Sequence, residues 1–242
     1  FDEHLDYLET HDFRVLPLRD VVAALANNQP LPDRCVSLTV DDAYISVYHN
    51  AWPELAKRGW PLTVFVNAPS CVPATHISTA GADLDADQLT TLLDHPRVVG
   101  LAEMMNYPGL ILGDPGVLAK MEAFKGRIVD GHSPGVSGPW LNAYAAAGVG
   151  SDHECTTPEE ATERLRLGMY VYIREGTSER NLIELLPTVT PENSRRCCLC
   201  SDDRHATDTV DHGHIDHFVR MAIDQGLDSV TAIRMATLNA AE

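Results

Sequence analysis

Carboxylates and imidazoles recur in this chain at the ends of short apolar runs. Asp41 and Asp42 lie in LTVDDAY, Glu103 in GLAEMMN, and Asp130 and His132 in VDGH. Asp152, His153 and Glu154 form SDHE, Arg174 and Glu175 end YVYIRE, and Asp202 and Asp203 follow CCLCS. Each residue taken singly has an ordinary structural reading. An aspartate after a strand can cap the next helix, a lone histidine can be a hydrogen-bonded core residue, and Glu103 can pair with an arginine. The joint pattern points elsewhere, because crowded carboxylates and imidazoles repel or desolvate one another unless a cation binds them. Nitrogen and oxygen donors without thiolates suit iron, manganese or zinc. Such an ion lowers the pKa of water from about 15.7 to about 7. A neighbouring carboxylate can then carry a proton from the nucleophile to the leaving group. Asp202 is the first candidate for that shuttle, and Glu154 beside His153 is the second. The expected reaction class is hydrolysis at a carbon bearing an amine or acyl leaving group.

Something must bring these groups together. Eight β-rich runs are spaced along the chain: 14–18, 36–40, 62–67, 98–104, 127–131, 149–154, 169–175 and 197–201. Amphipathic stretches lie between them, including DVVAALAN, NAWPELAKRG, DADQLTTLLD, PGVLAKMEAFKG and TPEEATERLRLG. Several open on Asp, Thr or Pro and close on Gly, as capped helices do. Repeated strand–helix alternation predicts an α/β fold with a parallel sheet. Eight repeats predict a single (β/α)8 barrel over residues 1–242, with functional groups at the C-terminal ends of the strands. The longest irregular stretch, residues 67–85, reads as a loop at that end. The tail from Asp211 reads as two helices broken at Gly226, with His212 and His214 at a helix start.

Composition narrows the partners. The 242 residues carry 18 Lys+Arg against 35 Asp+Glu, a formal net charge of −17. That excess disfavours nucleic acid or anionic membrane as a partner. No apolar run is long enough for a membrane span. The first residues, FDEHLDYLET, are acidic and amphipathic, and no secretory leader is expected. The six cysteines fall largely within or beside strands, which suits reduced thiols and a cytoplasmic location. Cys197 and Cys200 have C-x-x-C spacing, but on a short strand they would point to opposite faces.

Residues from about 69 to 242 resemble the adenine deaminases of the amidohydrolase superfamily. PSCVPAT, GLAEMMNYPG, VDGHSPG, SDHECTTPEEA, RLGMYVYIREG, CSDDRHATD, GHIDH and AIRMATLN carry the resemblance. It implies a metal-dependent barrel that converts adenine to hypoxanthine and ammonia. It also implies Glu103, His132, His153 and Asp202 as metal ligands, with Asp202 also moving protons. The implied cofactor is one or two divalent ions, manganese or iron, with zinc as a further option. Residues 1–66 instead resemble the opening of polysaccharide deacetylases, through LPDRCVSLTVDDAY and WPLTVFV. That likeness implies Asp41 as a general base and Asp42 as a metal ligand, although TVDDA replaces the family's TFDDG. The histidine motif H-S/T-x-x-H of that family is absent, and so is the H-x-H pair that amidohydrolases place after strand one. The expectation is therefore a fusion joined near residue 67 that acts on a small molecule. The leading substrate is a purine base. The alternatives are an acetylated sugar, or an inactive chimeric scaffold. Association into a homo-oligomer is left open.

Overall fold

A computed structural model describes residues 2–40, 47–61, 63–64, 66–75, 77–79, 83–95 and 98–241. The chain folds as two compact units, residues 1–66 and residues 67–240.

The first unit contains α1 (Asp2–Thr10), β1 (Arg14–Val15), α2 (Leu18–Ala26), β2 (Cys35–Val36) and β3 (Thr39–Val40). A π-helical turn over Val47–Ala51 then leads into α3 (Trp52–Lys57), and β4 (Thr63–Val64) follows. β1 pairs in parallel with β2, and β3 with β4. Leu5 of α1 and Leu55 of α3 are buried. Arg58 joins the ends of these helices, reaching Asp6 at 2.8 Å, Glu9 at 3.2 Å and Glu54 at 3.1 Å. Three carboxylates around one guanidinium satisfy its planar fork of donors.

The chain passes into the second unit in β5 (Val66–Ala68) and continues through α4 (Ala86–Thr90), β6 (Val98–Met104), α5 (Tyr107–Leu112) and α6 (Pro115–Ala123). Next come β7 (Ile128–Gly131), α7 (Gly138–Ala146), β8 (Ser151–Asp152), α8 (Pro158–Arg166), β9 (Tyr170–Arg174), α9 (Leu182–Leu185) and β10 (Cys197–Cys200). Four helices finish it: α10 (Ala206–His212), α11 (Ile215–Asp224), α12 (Ser229–Met235) and α13 (Leu238–Ala241). One sheet has the order β5-β6-β7 and another β10-β9-β8. β6 and β7, β8 and β9, and β9 and β10 pair in parallel. The two sheets meet where the Gly150 amide donates to the Val129 carbonyl at 2.9 Å. Strands consecutive in sequence are thus neighbours in space, as strand–helix–strand units require.

Each of the eight expected strand positions holds a strand; the second holds both β2 and β3, and the third holds β4 and the start of β5, which lie in different sheets. Among the described residues the strands divide into four groups, and no closed ring of eight is formed. What stands is the α/β class with parallel pairing. The tail also differs from the expected pair of helices. Its break at Gly226 is present, with φ +96°, but α12 and α13 are separate short helices.

Two apolar clusters support the second unit. Leu101, Met104, Phe124, Val129, Leu141 and Tyr144 pack around β6 and β7. Val171, Ile173, Leu182, Leu185, Leu199 and Phe218 pack around β9 and β10. Burying each large apolar side chain contributes about 1.5–3 kcal/mol. Strands with a core on one side and helices on the other read as near-continuous apolar runs. That is why the polar residues at their ends stand out.

Candidate metal centre

Five polar side chains converge at the ends of these strands. Glu103 comes from β6, His132 follows β7, and His153 and Glu154 follow β8. Asp202 lies just beyond β10 with φ +49°, a left-handed conformation that aspartate tolerates better than most residues. The His132 Nδ1 lies 3.2 Å from Glu103 Oε2 and 3.3 Å from Glu154 Oε1. The His153 Nε2 lies 3.6 Å from the same Glu103 oxygen, 3.3 Å from Glu154 Oε1 and 3.9 Å from Asp202 Oδ2. The two imidazole nitrogens are 3.3 Å apart. Donor atoms of Glu103, His132 and His153 all lie within 4.8 Å of one another, and so do those of His153, Glu154 and Asp202. His153 is common to both groups.

Local ties hold the strand ends in place. The Glu103 carbonyl accepts from the Ser70 hydroxyl and from the Cys71 thiol, which also accepts from the Met105 amide. The Tyr144 hydroxyl donates to the Met104 carbonyl at 2.8 Å and accepts from the His132 amide at 2.9 Å, linking β6 to the residue after β7. Gly131 lets β7 and β8 approach closely, since a Cβ there would overlap the Ser151 carbonyl oxygen. Without that approach His132 and His153 would stand farther apart.

Arg174, at the end of β9, closes one side of the cluster. Its Nη1 donates to Glu154 Oε1 at 2.5 Å and to Asp202 Oδ2 at 2.7 Å, while its Nη2 reaches Glu154 Oε2 at 3.1 Å. Burial pushes the Glu154 carboxyl up, but hydrogen bonds from His153 and Arg174 outweigh it and hold the pKa at about 2. Burial lowers the His153 pKa, yet Glu154, Glu103 and Asp202 more than offset this and leave it raised. A field that favours a proton on a buried imidazole is a field that favours a cation. Three carboxylates and two imidazoles, in two donor groups that share His153, therefore fit one or two divalent ions. The set is oxygen and nitrogen only, as iron, manganese and zinc accept.

The four positions expected from sequence to surround an ion, Glu103, His132, His153 and Asp202, are brought together, and Glu154 stands with them. Asp41 and Asp42 lie outside the described residues. Other strand-end groups are not among these two donor groups. Asp152 is wholly buried against Arg164. Glu175 is buried, accepts from the Leu182 amide at 3.2 Å and has its pKa raised by burial. Asp130 accepts from Ser151 at 3.0 Å and is likewise raised by burial. Sequence reasoning placed Arg174 at a strand end but gave it no partner. It did not single out Ser133, Tyr144 or Arg164. The available signal for Arg164 was its position three residues after Ala161 in α8, on the same helix face.

Fold and site together define a class. The chain matches the amidohydrolase family over residues 39–242 and belongs to that family. Its relatives are more particular. It is 58% identical over 189 residues to an adenine deaminase of Desulfatibacillum aliphaticivorans, covering 77% of this chain and 33% of that protein. The adenine deaminase of Nitratidesulfovibrio vulgaris is 54% identical over 189 residues with the same coverage. That of Dehalococcoides mccartyi is 54% identical over 187 residues, again covering 77% and 33%. The chain thus spans about a third of the length of the curated relatives it matches. Among the described residues no helix is long and apolar enough to cross a membrane.

Proposed function

We propose that this chain is a metal-dependent hydrolase that converts adenine and water to hypoxanthine and ammonia. The observation that carries the reading is the meeting of Glu103, His132 and His153 at one point, in a chain whose relatives bear the name adenine deaminase. We assign Glu103, His132, His153 and Asp202 as the residues that hold a divalent ion, manganese or iron before zinc. When bound, that ion supplies hydroxide at neutral pH by lowering the pKa of water to about 7.

The chain's own residues do the rest. Asp202 takes the proton of the attacking water and delivers it to the departing amino nitrogen of the purine. Glu154 was the second candidate for that task. Arg174 engages both of its oxygens but, among the described residues, only Oδ2 of Asp202. Glu154 is therefore assigned to fixing charge in the site, and Asp202 to moving the proton. We read the parallel strands, with these residues at their C-terminal ends, as part of a (β/α)8 barrel. Free thiols at Cys71, Cys155 and Cys197 support a reducing, cytoplasmic setting.

Purified chain loaded with Mn2+ and incubated with adenine should replace the ultraviolet band of adenine by that of hypoxanthine and release ammonia. Metal-loaded chain that leaves adenine intact would overturn the substrate assignment. The deacetylase-like reading of residues 1–66, with Asp41 as base and Asp42 as ligand, rests on TVDDA. Release of acetate from acetylated xylan or chitin oligomers would support it. Full metal content in an Asp41→Ala/Asp42→Ala variant would remove both residues from the ligand set. A chain that binds no ion under any loading condition is the inactive scaffold.

A further inference from the structure

Behind the converging side chains lies a second polar group that the proposed reaction does not use. Ser133 immediately follows His132, and Asp152 immediately precedes His153. The Asp152 carboxylate accepts from the Ser133 amide at 3.3 Å, from the Ser133 hydroxyl, and from the Glu154 amide at 3.0 Å. Arg164 of α8 completes the group. Its Nε donates to Asp152 Oδ2 at 2.7 Å, and its Nη2 donates to the Ser133 carbonyl at 2.8 Å. Ser133, Asp152 and Arg164 each have no exposed surface.

Burying a carboxylate and a guanidinium is costly, and the attraction between them does not by itself repay the cost. A pair of apolar side chains would fill the same space at least as well. What the pair adds is direction. Four donors fix the Asp152 carboxylate, and two of them are on Ser133, one residue from an imidazole on the neighbouring strand. The third is the amide of Glu154, so the carboxylate also sets the turn that carries His153 and Glu154. One buried ion pair therefore sets the orientation of three side chains that face the cluster.

We propose that Ser133, Asp152 and Arg164 are positioning residues that clasp the strand ends of β7 and β8 and so orient His132 and His153 toward one cation. The inference rests on the metal reading of the site and goes beyond it, since none of the three belongs to either group of donors. Outer groups that orient ligands typically change metal affinity by about 10- to 100-fold when removed.

The test uses the full chain and Co2+ alone, whose visible absorption reports ligand geometry. Asp152→Asn keeps the shape of the side chain and removes its charge. Ser133→Ala removes only the hydroxyl donor and is the variant expected to fold if Asp152→Asn does not. The expected result is that folded variants bind Co2+ about 10-fold or more weakly, with an altered visible band, while circular dichroism stays that of the parent. A folded variant with parental Co2+ affinity and an unchanged band would overturn the clasp and leave only a packing role. If Asp152→Asn does not fold, Ser133→Ala alone decides on the same two readouts. If the parent chain itself takes up no Co2+, the metal reading falls and this inference falls with it. That outcome is distinct from a parent that binds and variants that match it.

Discussion

Arg174 shows how much one residue can decide in this site. Its guanidinium stands against Glu154 and Asp202, and its side chain is only 5% exposed. Removing one member of a buried charge cluster leaves the others uncompensated, at about 3–5 kcal/mol. Arg174→Met should therefore lower the unfolding free energy of the metal-free chain by about 3 kcal/mol, seen in urea titrations. Added Mn2+ should restore more stability to the variant than to the parent, because the ion replaces the missing positive charge. Equal gains in both would mean that the arginine and the ion do not share the carboxylates. His153 is the other decisive residue, as its Nε2 belongs to both groups of donors. His153→Ala should lose more bound metal in elemental analysis than Glu103→Ala, which removes a donor from one group only.

At the scale of elements, local sequence rules positioned most of the second unit. α8 begins with a capping box in which Thr157 accepts from the Glu160 amide and Glu160 accepts in return. Such signals are local, so the helix is readable from TPEEATERLRLG. Thr157→Ala should cost about 1 kcal/mol in unfolding free energy and leave Co2+ affinity unchanged, since Arg164 is held by its own bonds to Asp152 and Ser133. A fall in affinity equal to that of Asp152→Asn would show that the start of α8 also sets the site. The strands were readable for a similar reason, as β-branched runs such as VVGLAEM and MYVYIRE alternate with helical patterns. α7 carries weaker local signals. Its GPWLNAYAAAG stretch begins at a glycine with φ +57°, and its Ser137 makes no side-chain cap bond. The strand ends are legible as a pool of donors, but the choice of Glu103, His132, His153 and Asp202 from that pool comes from the family resemblance. Residue type and position alone do not separate Asp152 from His153, since adjacent strand-end residues face opposite ways; the choice of His153 comes from the family resemblance. Only the partner Arg164, 12 residues onward, settles that Asp152 turns away into the core.

The whole molecule divides its labour unequally. Glu103, His132, His153, Glu154 and Asp202 all belong to residues 67–240, the larger of the two compact units. A ligand that binds only the folded form stabilises what it binds, by about 2.7 kcal/mol at a hundred times its dissociation constant. Metal should therefore raise the thermal transition of the unit that holds the donors. Calorimetry on the full chain, with Mn2+ and after chelation, reads this directly. If each unit unfolds on its own, two transitions should be resolved and the one belonging to residues 67–240 should move up with Mn2+. Single-transition unfolding would move as a whole and would show that the units melt cooperatively. No movement of any transition at saturating Mn2+ would mean that the converging donors do not hold an ion in the native chain. His153→Ala supplies the control within the same experiment. It removes the donor common to both groups, so its transition should respond little to Mn2+ even though the rest of the chain is unchanged. A full Mn2+ response in that variant would place the stabilising ion elsewhere and detach it from the cluster at the strand ends.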